Sequence, residues 1–142
     1  MSRKRGGTQK TFRFPIRVYY EDTDAAGVVY YANYLKFMER ARTEWLSSLG
    51  FDLAAVELEH GVVFVVHRVE IDFRRPAQLS DRLDVTLSLV ELGRARLIVD
   101  QAVERGTETL TQARVTLACL DPATWRPARI PAPLLARMET LL

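Results

Sequence analysis

Between Asn33 and Leu49 apolar side chains recur every three to four residues, and beyond Val62 they recur every two. A chain that changes hydrophobic period in this way builds one long helix and then a set of strands. The helical face is Tyr34, Phe37, Met38, Ala41, Trp45, Leu46 and Leu49. Lys36, Glu39, Arg40, Arg42 and Glu44 fill the opposite face, with Arg40 and Glu44 four apart. Gly50 stands where a left-handed cap ends a helix. Residues 52–58 predict a short further helical turn.

An extended run from Phe12 to Tyr20 precedes the helix. After it, Val63, Val65, His67, Val69, Ile71 and Phe73 predict one apolar face of a long strand stopped by Pro76. Leu83, Val85, Leu87 and Leu89 alternate with Asp84, Thr86 and Ser88 in a second. A third carries Ala95, Leu97, Val99 and Val103, and a fourth Ala113, Val115, Leu117 and Cys119. Leu92-Gly93-Arg94 and Arg105-Gly106-Thr107 read as turns, and Asp121-Pro122 breaks the last strand. Short loops between alternating strands argue for an antiparallel sheet. The segment Pro127 to Pro133 leads into a short C-terminal helix with Leu134, Leu135, Met138 and Leu142 on its apolar side. The expected class is α+β, in the order β-α-β-β-β-β. A five-stranded antiparallel sheet would curl its concave face around the long helix. Such a sheet keeps open edges, which favour pairing with a second copy.

With 142 residues the chain reads as one domain over 11–142, preceded by a basic tail, 1–10, expected to be disordered. Its one cysteine, Cys119, rules out an internal disulfide and fits a reducing cytoplasm. No apolar run approaches the ~18 residues of a membrane span, and the start lacks the apolar region of a signal peptide. The net charge is +2, and basic and aromatic residues do not interleave, which argues against nucleic acid as a partner.

The stretch Tyr20-Glu21-Asp22-Thr23-Asp24-Ala25-Ala26-Gly27-Val28-Val29-Tyr30-Tyr31 carries the chemistry. Acidic groups lie just ahead of a helix N-terminus, whose first N–H groups have no partner inside the helix. A carboxylate and a row of N–H donors facing one spot can attack a carbonyl and hold the resulting oxyanion. The plainer role for such acids is capping. Against it, six residues lie between Asp24 and Tyr31. Gly27 sits in that gap and implies a sharp bend or a close approach. Asn33 reads as an N-terminal cap. Glu21 and Asp22 read as groups that cap or orient the turn. Cys119 reads as a buried, inert thiol. His60 and His67 have no metal-like spacing, so no metal site is expected, and no cofactor is implied.

The run from Arg17 through Tyr30, with Glu39-Arg40-Ala41-Arg42-Thr43-Glu44 after it, resembles the YbgC-type acyl-CoA thioesterases. These form part of the 4-hydroxybenzoyl-CoA thioesterase branch of the hotdog superfamily. The element order and the late Asp121-Pro122 agree with the resemblance. It implies a hotdog fold, a homodimer that joins two sheets and pairs again into a tetramer, and an active site at the dimer interface beside the helix N-terminus. By motif position Asp24 matches the catalytic aspartate. Tyr31 matches the residue whose backbone N–H polarises the thioester carbonyl. Many YbgC-type members have a histidine at the position of Tyr31, whereas the hydroxybenzoyl-CoA branch has a tyrosine. A phenol, titrating near ~10, does not replace histidine as a base at pH 7, but the N–H role is insensitive to the side chain.

Asp24 would either attack the carbonyl, forming an anhydride, or draw a proton from water. The coenzyme A phosphates need cations; Arg94 and Arg96, at the turn after Gly93, are the first candidates, and Arg74 and Arg75 follow. A short aliphatic acyl group is the first expectation and an aromatic one the second. Three rivals stand beside hydrolysis. Asp22-Thr23-Asp24 after a strand mimics a phosphohydrolase nucleophile, which would need a parallel sheet. A hotdog enoyl-thioester hydratase would pair an aspartate with a histidine. A non-catalytic acyl-CoA-binding module would fit the family's association with the Tol-Pal envelope system and phospholipid-synthesis enzymes.

Overall fold

A computed structural model describes residues 10–142; Met1–Gln9, most of the basic tail, lie outside the described residues. Strand β1 (Thr11–Arg17) leads through a single 3-10 turn (Tyr20–Asp22) and a small hairpin into helix α1 (Tyr31–Ser48). Helix α2 (Leu53–His60) follows, then β2 (Val63–Phe73), β3 (Arg82–Leu92), β4 (Arg96–Arg105), β5 (Glu108–Leu120) and helix α3 (Ala132–Glu139). The strands form one sheet in the order β1-β3-β4-β5-β2, and every pairing is antiparallel. This is the hotdog arrangement, and it removes the parallel sheet that a phosphohydrolase reading requires.

The helix forms where its spacing requires, two residues earlier than the sequence suggested. All seven apolar positions of its predicted face are buried, Met38 and Ala41 completely. They pack chiefly over β3 and β1, against Leu83, Val85, Leu87 and Leu89. Each large side chain fully buried in this way stabilises the fold by about 1.5–3 kcal/mol. Gly50 closes the helix at φ 92°, a conformation that only glycine adopts freely. Residues 53–60 make two turns of helix rather than one.

Two expectations need correction. The face of β2 does not run unbroken from Val63 to Phe73. A bulge between Val66 and Arg68 shifts the register against β5. The core therefore receives Phe64 before the bulge and Val69 and Ile71 after it. His67 falls at the bulge and is exposed, not part of an apolar face. The second correction is Arg42, assigned above to the solvated side of the helix. It is half-buried, and its Nη1 donates to Oε1 of Gln101 at 3.0 Å. Gln101, on the inner face of β4 and 1% exposed, also donates Nε2 to the Met38 carbonyl at 3.1 Å. Burial holds the Arg42 guanidinium below its ordinary pKa, while nearby Glu39 works against that shift.

The sheet has two distinct ends. At one lie Arg17 paired with Arg82, Arg105 paired with Glu108, and Phe73 paired with Thr111. At the other lie the β3–β4 turn and Val63 paired with Leu120. The eleven residues of β3 separate them, roughly 33 Å at strand rise.

Candidate active site

The chain leaves β1, makes its 3-10 turn and enters a hairpin whose arms meet where Thr23 pairs with Val29. Asp24 begins the turn. Its N–H donates to the Val28 carbonyl at 2.9 Å, and the Gly27 N–H donates to the Asp24 carbonyl at 3.0 Å. Its carboxylate Oδ1 accepts the Ala26 N–H at 2.9 Å. That leaves the second oxygen, Oδ2, available on an exposed side chain. Gly27 takes φ 80°, and an added Cβ would meet nothing within 4 Å. Its requirement is therefore the left-handed backbone, not a close neighbour.

The return arm of the hairpin runs directly into α1. Tyr30 N–H donates to the Asp22 carbonyl at 3.1 Å, and Asn33 Nδ2 donates to the same carbonyl at 2.9 Å. Asn33 thus ties the helix to the turn before it and is not the cap that its residue type suggested. The N-cap is Tyr30, which makes no side-chain capping bond. Asp22 Oδ2 is occupied by the Tyr19 N–H at 2.9 Å. Asp22 thus caps the 3-10 turn, as its position suggested, but neither Asp22 nor Asp24 caps α1, and the Tyr31 N–H opens a helix end without a side-chain acceptor. The helix dipole adds partial positive charge at that point.

A connection from β2 to β3 braces this end. Val29 N–H donates to the Ala77 carbonyl at 2.8 Å, and Ala77 N–H donates to the Tyr34 hydroxyl at 2.9 Å. Burial pushes the Tyr34 phenol above its ordinary pKa. The brace is held by Arg105, which bonds Asp81 and Glu108, each at 2.7 Å. Arg75, one of the predicted phosphate contacts, lies at this end with its Nε 3.3 Å from Glu108. The Tyr31 ring packs on Tyr30 and on Phe73, with centroids at 4.8 and 6.2 Å. Tyr31 and Phe73 are 61% and 48% exposed, an apolar wall that the described residues leave open.

The structure brings Asp24, Gly27, Tyr31 and Arg75 to one end of the sheet. Arg94 and Arg96 lie at the other. They border a groove of about 380 Å³ that Glu91, Gly93 and Ile98 also line. Within one chain the two groups therefore stand about the length of β3 apart. His60 ends α2 and His67 marks the β2 bulge; neither is bonded to Asp24. Cys119 is fully buried, its Sγ 3.7 Å from the Arg129 carbonyl, and burial pushes its thiol up to about 11. Sequence reasoning missed the brace at Ala77 and Arg105, because main-chain bonds between distant segments leave no residue pattern.

The model of the thioesterase-like superfamily matches residues 18–138. The acyl-CoA thioesterase YbgC of Haemophilus influenzae is 42% identical over 130 residues, covering 92% of this chain and 96% of that protein. A 1,4-dihydroxy-2-naphthoyl-CoA hydrolase of Synechococcus elongatus is 32% identical over 121 residues, covering 84% of this chain and 89% of that one. The crystal structure of a probable thioesterase from Bartonella henselae superposes with a TM-score of 0.81 at 38% identity, covering 86% of this chain and 100% of its own. With the family model spanning the long helix, strands β2 to β5 and the hairpin that holds Asp24, the chain belongs to the thioesterase-like superfamily of hotdog proteins.

Proposed function

We propose that this protein hydrolyses acyl-CoA thioesters to a free acid and coenzyme A. The observation that carries the reading is the uncapped N-terminus of α1, with the exposed Asp24 carboxylate in the hairpin leading into it. The Tyr31 N–H would hold the carbonyl oxygen as it gains charge; losing such a donor typically costs about 2.7–4 kcal/mol of barrier. Asp24 acts in one of two ways. As a nucleophile it adds to the carbonyl carbon and expels the coenzyme A thiolate, and water then opens the anhydride. As a base it takes a proton from the water that attacks. Either route consumes one water and releases one acid and one thiol. Gly27 keeps the rim of the turn open beside it.

The site is completed by a second copy. The apolar face of β2 is only partly covered by its own chain, and Val66 and Phe73 remain exposed along it. The other edge, β1, is blunted by Pro15. Two β2 strands pairing antiparallel about a two-fold axis would place the partner's β3–β4 turn on the side of Asp24. Arg94 and Arg96 of one copy would then serve the catalytic end of the other. A further pairing to a tetramer and an association with envelope or phospholipid-synthesis proteins rest on the family resemblance alone. A cytoplasmic location rests on the single free thiol.

Short aliphatic acyl groups remain the first expectation. The exposed wall of Tyr30, Tyr31 and Phe73 supports an aromatic acyl group as the second. The test is thiol release across a panel of acyl-CoA esters, with Asp24→Asn as control. The variant should lose at least 100-fold in kcat while binding acyl-CoA in calorimetry. Full turnover by Asp24→Asn, or binding without turnover by the unaltered protein, would refute the assignment.

A further inference from the structure

Trp125 occupies a position that folding alone does not explain. Of the non-glycine residues described, only Ser80 and Trp125 have positive φ, and Trp125 sits at 59°. A bulky residue there is a genuine outlier. The loop is set by other groups. Trp125 N–H donates to the Asp121 carbonyl at 2.7 Å, and the Asp121 carboxylate accepts the Ala123 N–H at 2.8 Å. Asp121 N–H donates to the Arg126 carbonyl at 2.9 Å, and Leu120 pairs with Pro127. Glycine or asparagine would satisfy this backbone with less strain. The indole is 65% exposed, and the ring–ring contacts among the described residues do not involve it. It is a flat apolar surface held on a rigid loop.

Its neighbours are cationic. After Pro127 the chain folds back beside β5 and the β3–β4 turn: Ala128 N–H donates to the Cys119 carbonyl at 2.9 Å, and Ile130 N–H to the Arg94 carbonyl at 2.7 Å. One corner of the sheet thus gathers Arg94, Arg96, Arg126 and Arg129, all exposed. The ion pairs found among the described residues engage Arg13, Arg68, Arg75, Arg105 and Arg114 instead. Guanidinium groups bind phosphate through paired donors, and an exposed indole stacks on a base through its face.

We propose that Trp125 is the base-stacking residue of a nucleotide shelf, with Arg126 beside it and Arg94 and Arg96 at the adjoining β3–β4 turn. Its ligand class is an adenine nucleotide carrying phosphate monoesters, the terminal part of coenzyme A. The shelf rests on the acyl-CoA reading above and adds to it a residue that distinguishes coenzyme A esters from thioesters lacking the nucleotide.

The probe is adenosine 3′,5′-bisphosphate. Trp45 is 4% exposed, so the solvent-accessible indole emission belongs to Trp125. The nucleotide should quench that emission saturably in the unaltered protein, and Trp125→Asn, which suits the left-handed backbone, should abolish the response. In thiol release, Trp125→Asn should reduce the preference for an acyl-CoA over the same acyl group on N-acetylcysteamine by about 5- to 100-fold, with Trp125→Phe retaining most of it. An unquenched indole, or equal losses on both esters, would overturn the shelf. Quenching without hydrolysis of any ester would overturn the acyl-CoA hydrolase reading and leave the shelf standing, so the two failures are distinguishable.

Discussion

The Tyr31 ring meets the Phe73 ring edge-on, with centroids 6.2 Å apart and planes at 83°. The contact joins the first residue of α1 to the last residue of β2 and so links the helix end to the free sheet edge. The side chain packs here, while the N–H is the group proposed to hold the carbonyl oxygen. Tyr31→Phe keeps both and should lower kcat by less than about tenfold. A collapse of kcat would show that the phenol takes part in the reaction.

Gly27 tests the hairpin. Alanine at φ 80° is strained by about 1–2 kcal/mol, although its Cβ would meet no atom within 4 Å. Gly27→Ala should reduce turnover with little change in the global unfolding midpoint, and Gly27→Asn should retain most activity because asparagine tolerates this conformation. Equal behaviour of the two variants would show that backbone conformation is not what the position requires.

Gln101 tests the join between sheet and helix. Replacing it with alanine removes the acceptor for Arg42 and the donor to Met38. A hydrogen bond to a charged group contributes about 1.5–3 kcal/mol, so Gln101→Ala should lower unfolding stability in urea by about 2–3 kcal/mol. A change within error would mean that Arg42 finds solvent instead.

Cys119 gives a pH prediction. Its thiol is pushed up to about 11 by burial. The thiolate is the reactive form, so at pH 8 on the order of 0.1% of it is available. Iodoacetamide should leave the native protein unmodified at pH 8 and label it rapidly after unfolding. The sign for stability follows. The unfolded thiol ionises first, so stability present below about pH 9 should fall as pH rises toward 11. Rapid labelling of the native protein would contradict its burial.

Much of the fold was legible because period carries burial. The six inward positions of α1, and Leu49 just after it, follow from spacing, as do the inner faces of β3 and β5. The face of β2 was not, because a bulge at His67 inserts one residue and no pattern announces it. Arg42 and Gln101 were misplaced or missed for a related reason: a polar residue is legible as solvated by default, and its partner lies 59 residues away. The motif pointed to Asp24 and Tyr31, and the hairpin explains Gly27 between them. That Arg94 and Arg96 stand at the opposite end of the sheet is a property of strand direction, which residue type does not encode.

The division of the site between two copies is tested by mixing variants. Asp24→Asn and the double variant Arg94→Ala, Arg96→Ala should each be impaired when acyl-CoA is below KM. After joint unfolding and refolding, half of the dimers are mixed, and each of those carries one site with both defects and one with neither. Thiol release should recover to about a quarter of the unaltered rate. Activity no greater than the average of the two separate variants would show that each copy holds a complete site.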